Sequence, residues 1–234
     1  MLIGCKSSLE KKSENLLSNT AKDTIPFTQK IEIDTIQEPP IDVEKHITNY
    51  KSLKRRISNY KASHKNTSKE IISKKISGLL IDSIFPYWIG TTWDFNGYTE
   101  TPLKGDIACG YFVSTTIRDV DIKINRYKIA QKGATDIIKS LCDTTSLKNF
   151  SSVKDIESYA KTLNENQLMI IGLDFHVGFI YKKNQEIYFA HSNYINNKGV
   201  MIEKLNDSEA LKHSKNYIIG DFSNNETILN HWIH

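Results

Sequence analysis

Regular hydrophobic patterning begins about a third of the way along the chain. Residues 6–50 are rich in Ser, Asn, Lys, Asp and Glu, contain three of the five prolines and show poor apolar periodicity, which is typical of a flexible or loosely docked segment. From Ser68 to Ile84 apolar residues recur at helical spacing. We therefore predict a tether of low order over residues 1–66 and one globular domain over residues 67–234.

The C-terminal half alternates strand and helix patterns. Residues 167–173 are typical of a buried strand, and residues 174–181 and 186–193 are two β-rich runs around a polar loop, which predicts a hairpin. Further strands are expected near 199–204 and 216–222, with helices near 134–142, 152–163 and 207–213. The predicted fold class is α+β, with helices packed on an antiparallel sheet.

Register in the hairpin brings two histidines together. If Lys183-Asn184 is the two-residue loop, the residue numbers of any two paired positions add up to 367. The numbers of His176 and His191 also add up to 367, so these two histidines are predicted to lie opposite each other. Their Cβ atoms would then be about 4.5–5.5 Å apart. Lys-Asn is not the preferred two-residue turn, so a longer loop is an alternative. A symmetric longer loop preserves this register, whereas a bulge breaks it.

Cys109 is the most informative cysteine. It follows a Gly-Asp turn and begins a helical pattern with Phe112, Val113, Thr116, Ile117 and Val120 on one face. A thiol at a helix N-terminus lies near unpaired N–H groups and the positive end of the dipole, which favour the thiolate. The alternative is a small buried core cysteine. As a nucleophile, Cys109 would use His176 as its base.

A second polar group would orient that base. Either His191 or Asn193, which lies on the same face of the predicted strand, can bond the far ring nitrogen and fix the tautomer. The other five histidines lie in polar or terminal segments. We find no third ligand placed for a metal ion and predict neither a metal nor a cofactor.

Cysteine usage and charge add two further expectations. Three dispersed cysteines indicate neither a disulfide framework nor a metal site. Between Lys51 and Lys75 there are nine Lys or Arg and one acid. This stretch is either a solvated helix or linker, or a surface for a polyanion such as membrane lipid. It contains no nucleic-acid recognition motif beyond charge and Tyr60, so no nucleic-acid partner is expected.

The N-terminus contains the sequence Leu2-Ile3-Gly4-Cys5, which resembles a bacterial lipobox. A lipid on Cys5, followed by the polar tether, would anchor the protein on a membrane. An accidental match is the alternative, because only Met1 and two apolar residues precede the motif's Gly-Cys pair. No apolar run in the chain approaches the length of a membrane span.

Four short motifs together resemble the NlpC-type cell-wall cysteine peptidases of the papain-like superfamily. They are Tyr87-Trp88-Ile89-Gly90, Ala108-Cys109-Gly110-Tyr111-Phe112-Val113, His176-Val177-Gly178-Phe179-Ile180 and Phe189-Ala190-His191-Ser192. The order Cys, His, His along the chain agrees with the family. Ala108 and Gly110 stand where the family usually has Asp and Ser.

The resemblance implies a papain-like fold in which residues 67–234 form an NlpC-like thiol protease domain. Its activity would be hydrolysis of amide bonds in peptidoglycan stem peptides through a Cys-His-His triad, in a lipoprotein of the bacterial cell envelope or a secreted protein. By analogy, Tyr87 would help to stabilise the oxyanion, and Trp93, Asp94 and Asn96 would line the cleft. Trp93 can equally be a core anchor.

Two other functions are consistent with the same residues. The scaffold could carry a deamidase, an acyltransferase or an effector that cleaves a protein, all with the same three site residues. It could also be a non-catalytic wall-binding module with a relic site. Substrate assays separate the first alternative from wall hydrolysis, and a Cys109→Ala variant with full biological activity would favour the second.

Overall fold

The computed structural model describes residues 41–233 of the chain. Within this range the helices are α1 (Val43–Ser63), α2 (Lys69–Leu79), α3 (Phe85–Trp88), α4 (Cys109–Asp119), α5 (Arg126–Ala130), α6 (Ala134–Leu141), α7 (Val153–Lys161), α8 (Glu209–Lys212) and α9 (Glu226–Ile233). A π-helical turn, Leu80–Ile84, joins α2 to α3. None of these helices has both the length and the apolar character that a membrane crossing requires. The lipid proposed for Cys5 lies outside the described residues.

One open antiparallel sheet organises the described residues. Its strands are β1 (Lys148–Phe150), β2 (Leu168–Gly172), β3 (Val177–Lys183), β4 (Glu186–Asn193), β5 (Gly199–Lys204) and β6 (Tyr217–Asp221). Their spatial order is β1-β6-β2-β3-β4-β5, and each neighbouring pair is antiparallel. The α+β class with an antiparallel sheet is therefore confirmed. The strand β1 was not predicted, since three residues carry too little periodicity.

Both faces of the sheet are buried because successive side chains point to opposite sides. Leu168 and Ile170 of β2 join a core with Phe112 of α4, while Met169 and Ile171 join a second core with Ile156 of α7. Helix α4 contacts β3 and β4. The residue that begins α4, Cys109, is thereby held beside the hairpin formed by β3 and β4, which contains His191 and is directly preceded by His176.

Helix α1 belongs to the compact unit, which begins at Ile41. Ile57 and Tyr50 of this helix are buried in the same core as α4. The Tyr50 hydroxyl donates to Asp119 Oδ2 at 2.6 Å and accepts from Trp88 Nε1 at 2.8 Å. The boundary predicted at residues 66/67 is therefore too late. The weak mean hydropathy of α1 concealed a narrow apolar stripe that packs against the domain.

The basic 51–75 stretch lies mainly on α1 and α2, and several of its cations pair with carboxylates. The pairs seen among the described residues are Lys54 with Asp119, Lys61 with Asp121, Lys69 with Glu226, and Lys74 with Glu70. Most of these partners lie far away in sequence, so a count of local charge overstates the charge of the folded surface.

The hairpin uses a different loop from the one predicted. Lys183 pairs with Glu186, and Phe179 pairs with Ala190, so paired positions sum to 369 rather than 367. Asn184 and Gln185 form the loop with φ of 52° and 65°, as a type I′ turn requires. Asn adopts this left-handed conformation more readily than Lys. His176 and His191 are consequently diagonal neighbours rather than direct partners.

Candidate active site

Cys109 begins helix α4, with Ala108 as the N-cap residue. The preceding loop is held in place by hydrogen bonds from Ala108 N to Gly97 O at 2.8 Å and from Ser192 Oγ to Ile107 O at 2.6 Å. Gly110 is required for close packing, because a Cβ there would lie 2.6 Å from Ala130 O. Glycine at this position therefore has a steric cause.

Burial dominates the chemistry of the thiol. It raises the pKa of Cys109 above its ordinary value, although the backbone N–H groups of Val177, Gly110 and Cys109 itself lower that pKa. The N–H groups at the helix start act in the direction expected from sequence, but they do not outweigh desolvation. The resting thiol is therefore neutral and requires a base.

His176 and His191 form a buried, directly bonded pair. Nε2 of His176 lies 2.7 Å from Nδ1 of His191, and both side chains are almost completely buried. Extending the observed register by one step places Gly178 opposite His191. A Cβ at Gly178 would lie 2.6 Å from the Phe189 ring and 2.9 Å from His191 Cβ. Glycine at this position thus leaves room for the Phe189 ring and for the Cβ of His191.

Glu203 of β5 completes a chain of hydrogen bonds that the sequence did not reveal. Its Oε1 lies 3.0 Å from His191 Nε2. Burial opposes ionisation of this carboxyl, yet hydrogen bonds from His191 and Ser208 and the nearby charge of Lys198 hold its pKa below the usual value. A signal for Glu203 was nevertheless available in the sequence, because it is one of two acidic or basic residues on the strand predicted at 199–204. Pairing that strand with β4 would have placed Glu203 diagonal to His191.

The carboxylate fixes the direction of this chain. An ionised Glu203 only accepts, so His191 donates from Nε2. Burial lowers the pKa of both histidines, and the neighbouring His191 lowers that of His176 further. A neutral His191 then accepts at Nδ1 from His176 Nε2–H. His176 is left with its lone pair on Nδ1, which is the nitrogen available as a base.

Cys109 and His176 line one cleft of about 720 Å³. Two residues predicted for the cleft, Trp93 and Asn96, also line it. Tyr194 lines it as well and was not predicted. The Tyr194 ring centroid is 5.1 Å from that of His176, and burial is the main cause that raises the pKa of its hydroxyl. Its position directly after β4 was the available signal.

Three other predicted residues have different surroundings. Tyr87 is not among the residues that line the cleft, because its ring packs against His46 and Tyr50 at centroid distances of 4.7 and 5.2 Å. Asp94 shapes the loop that precedes α4, because its side chain accepts a hydrogen bond from Asn96 N at 2.8 Å. Asn193 accepts from Ile195 N at 2.9 Å, and His191, rather than Asn193, contacts His176.

Within residues 41–233 no three His, Cys, Asp or Glu side chains converge as a metal site would require. Comparison with known proteins adds no relative, since no family model, curated protein or solved structure matches the chain. The NlpC-type resemblance and the papain-like fold remain predictions. The geometry of the site is the basis for a functional proposal.

Proposed function

We propose that the protein is a cysteine hydrolase of amide bonds, with Cys109 as nucleophile, His176 as base and His191 as the residue that orients the base. The observation that carries this proposal is the shared cleft of Cys109 and His176, combined with the hydrogen-bond chain that leaves a lone pair on His176 Nδ1. A buried histidine pair with this directionality suits proton transfer to and from a thiol.

The proposed reaction has two steps. Cys109 Sγ attacks the carbonyl carbon while its proton passes to His176 Nδ1. The N–H groups of Cys109, Gly110 and Val177 favour the thiolate, and in the proposed mechanism N–H groups at the start of α4 also stabilise the developing oxyanion. The proton then passes to the leaving amine and a thioester forms. Water, deprotonated by His176, hydrolyses the thioester and restores the thiol.

For the substrate, the resemblance suggests peptidoglycan stem peptides and a location at the bacterial cell envelope. The same steps also serve a deamidase, an acyltransferase or a protein peptidase. These alternatives gain support from the cleft, whose lining is largely aromatic and aliphatic. A non-catalytic wall-binding module would not require the ordered Glu203–His191–His176 chain.

The first test measures thiol reactivity in the full chain. At neutral pH, iodoacetamide should label Cys109 faster than Cys142, because Cys142 is 4% exposed and burial together with the carboxylates of Asp221 and Asp143 raises its pKa strongly. His176→Asn should slow labelling of Cys109 by about tenfold or more, since general-base assistance is lost. Peptide mass spectrometry measures both rates. Equally slow labelling of the two cysteines in the wild type would contradict the proposal.

The second test identifies the bond that is cut. Wild-type protein should release fragments from purified sacculi, identified by mass spectrometry, and Cys109→Ala should reduce this release by at least about 10³-fold. If several wall types are left intact while a protein or acyl-amide library is cleaved in a Cys109-dependent manner, the wall substrate is wrong and the cysteine chemistry stands.

A further inference from the structure

The mouth of the Cys109 cleft contains unusually exposed aromatic side chains. Phe175 is 94% exposed and Phe95 is 78% exposed, the two highest values among the large hydrophobic residues of the described chain. Both line the cleft. An exposed phenyl ring forgoes the stabilisation that burial gives. Two such rings at the entrance to one cleft indicate a surface that becomes covered when a ligand binds.

The interior of the cleft continues this apolar character. Trp93, Tyr111 and Tyr194 contribute aromatic rings, and Ala108, Ala134 and Ile137 contribute aliphatic surface. These groups line the same cleft as Cys109 rather than a separate pocket. A substrate group that they contact therefore shares the cleft with the carbonyl that reacts with Cys109.

Charged groups in the lining are few. Among the described residues they are Lys132 and Asp174. Lys132 Nζ lies 2.6 Å from Ser140 Oγ, and Asp174 accepts from Lys215 N at 2.7 Å and from Asn216 Nδ2 at 2.8 Å. One cation and one anion stand among many aromatic and aliphatic groups, so over most of the lining a charged substrate group would lose its hydration without gaining an ion pair.

We infer that the substrate carries an uncharged aromatic or aliphatic group beside its scissile carbonyl, and that Phe175 and Phe95 hold this group. The inference rests on the proposed function and narrows its substrate class. It disfavours carboxylate-rich stem peptides. It favours amides of apolar acyl groups or of apolar amino acids.

A set of alkylating reagents tests recognition without requiring a substrate. Iodoacetamide, N-phenyl iodoacetamide and iodoacetate share one reactive group and differ in the attached group. The rate at Cys109 is measured for each in the full chain and divided by the rate with glutathione. We expect the normalised phenyl-to-amide ratio to be about 10, equivalent to about 1.4 kcal/mol, and the iodoacetate-to-amide ratio to fall below one.

Matched variants assign the preference to the cleft. Phe175→Ser should reduce the phenyl-to-amide ratio about threefold or more. Ile71→Ser removes a side chain that is 55% exposed on α2 and does not line the cleft, and it should leave the ratio unchanged. Both residues are exposed, so folding should be preserved. A wild-type ratio near one, or an equal loss in both variants, overturns the inference.

The two proposals fail in distinguishable ways. The ratio is measured whatever the absolute rate. A ratio near one with rapid, His176-dependent labelling contradicts only the apolar substrate. A high ratio together with labelling of Cys109 that does not respond to His176→Asn contradicts the hydrolase and leaves an apolar binding cleft.

Discussion

At the scale of single residues, Glu203 determines which ring nitrogen of His176 can act. The hydrogen bonds run from His176 Nε2 to His191 Nδ1 at 2.7 Å and from His191 Nε2 to Glu203 Oε1 at 3.0 Å. The carboxylate touches neither the cleft nor the thiol in this arrangement. It therefore acts through His191, as a positioning residue whose effect is the tautomer of the base.

Replacing Glu203 with Gln should weaken this control. The Gln amide can either accept from or donate to His191, so both tautomers of His176 become populated. We expect Cys109-dependent hydrolysis to fall about tenfold, by analogy with residues that orient metal-binding histidines. Nitrogen-15 NMR of the imidazoles should show one His176 tautomer, protonated at Nε2, in the wild type and a mixture in Glu203→Gln.

Glu186→Gln is the matched control for this prediction. Glu186 begins β4, is about half exposed and pairs with Lys204 at 3.4 Å. Its replacement should change neither the tautomer nor the rate. If Glu203→Gln lowers activity but retains the wild-type nitrogen spectrum, the role of Glu203 is structural and the tautomer argument fails.

The sequence predicted which residues form the candidate site better than it predicted the balance of effects that sets their pKa values. Cys109 at a helix start and the pair formed by His191 on β4 and His176 immediately before β3 were found from local patterns. The raised pKa of Cys109 could not be predicted from local patterns, because burial depends on what packs around the thiol in three dimensions. Tyr87 was placed by analogy at the oxyanion, whereas tertiary packing turns its ring toward His46 and Tyr50.

At the scale of elements, the β3–β4 hairpin shows how a small local error can leave a site prediction intact. The observed loop lies one residue further along the chain than the predicted one, so each residue of β3 pairs with a residue of β4 two positions later than predicted. A change of two keeps the same residues on the same face, because side chains alternate with period two. His176 and His191 therefore still meet, now along a diagonal.

The turn itself offers a stability test. Gln185 has φ of 65°, a conformation that costs a residue with a Cβ more than it costs glycine. Gln185→Gly creates the Asn-Gly pair preferred in type I′ turns and should raise the free energy of unfolding by about 0.5–1 kcal/mol. Urea denaturation measures the change.

Gln131→Gly provides the comparison at a negative φ. Gln131 is the C-cap residue of α5, with φ of −83°, so glycine there gains no relief and increases the entropy of the unfolded chain. This variant should be neutral or less stable than the wild type. Stabilisation by both substitutions would show that the sign of φ is not the cause.

At the scale of the whole molecule, long-range packing determines where the folded unit begins, which local sequence patterns could not show. Helix α1 was assigned to the tether because its apolar residues are few and its local charge is high. In the folded unit, Tyr50 bonds Asp119 at the end of α4, and Lys54 lies 3.5 Å from the same carboxylate. These partners are more than sixty residues away, beyond the reach of periodicity arguments. The antiparallel sheet was predictable because its strands β2–β5 follow one another in the chain.

The buried histidines should also couple the stability of the whole domain to pH. Burial lowers the pKa of His176 and of His191 in the folded protein, first through desolvation in each case, whereas in the unfolded chain each histidine has a pKa of about 6.5. Below that value the unfolded state binds more protons. Their contribution to stability is therefore fully present above about pH 6.5 and is lost as the pH falls through the folded-state pKa values.

Denaturation at pH 7.5 and pH 5 should reveal this coupling. The free energy of unfolding should be lower at pH 5 than at pH 7.5 in the wild type. Each histidine contributes at most about 1.4 kcal/mol per pH unit to this decrease, so the decrease should be about 1–2 kcal/mol smaller in His176→Asn. His213→Asn, at an exposed histidine following α8, should retain the wild-type difference. A His176→Asn variant whose stability falls as steeply as that of the wild type would mean that His176 is already able to take up a proton in the folded protein. The folded-state pKa of His176 would then not lie below that of the unfolded chain, and the hydrogen-bond chain would not keep the ring neutral at acidic pH.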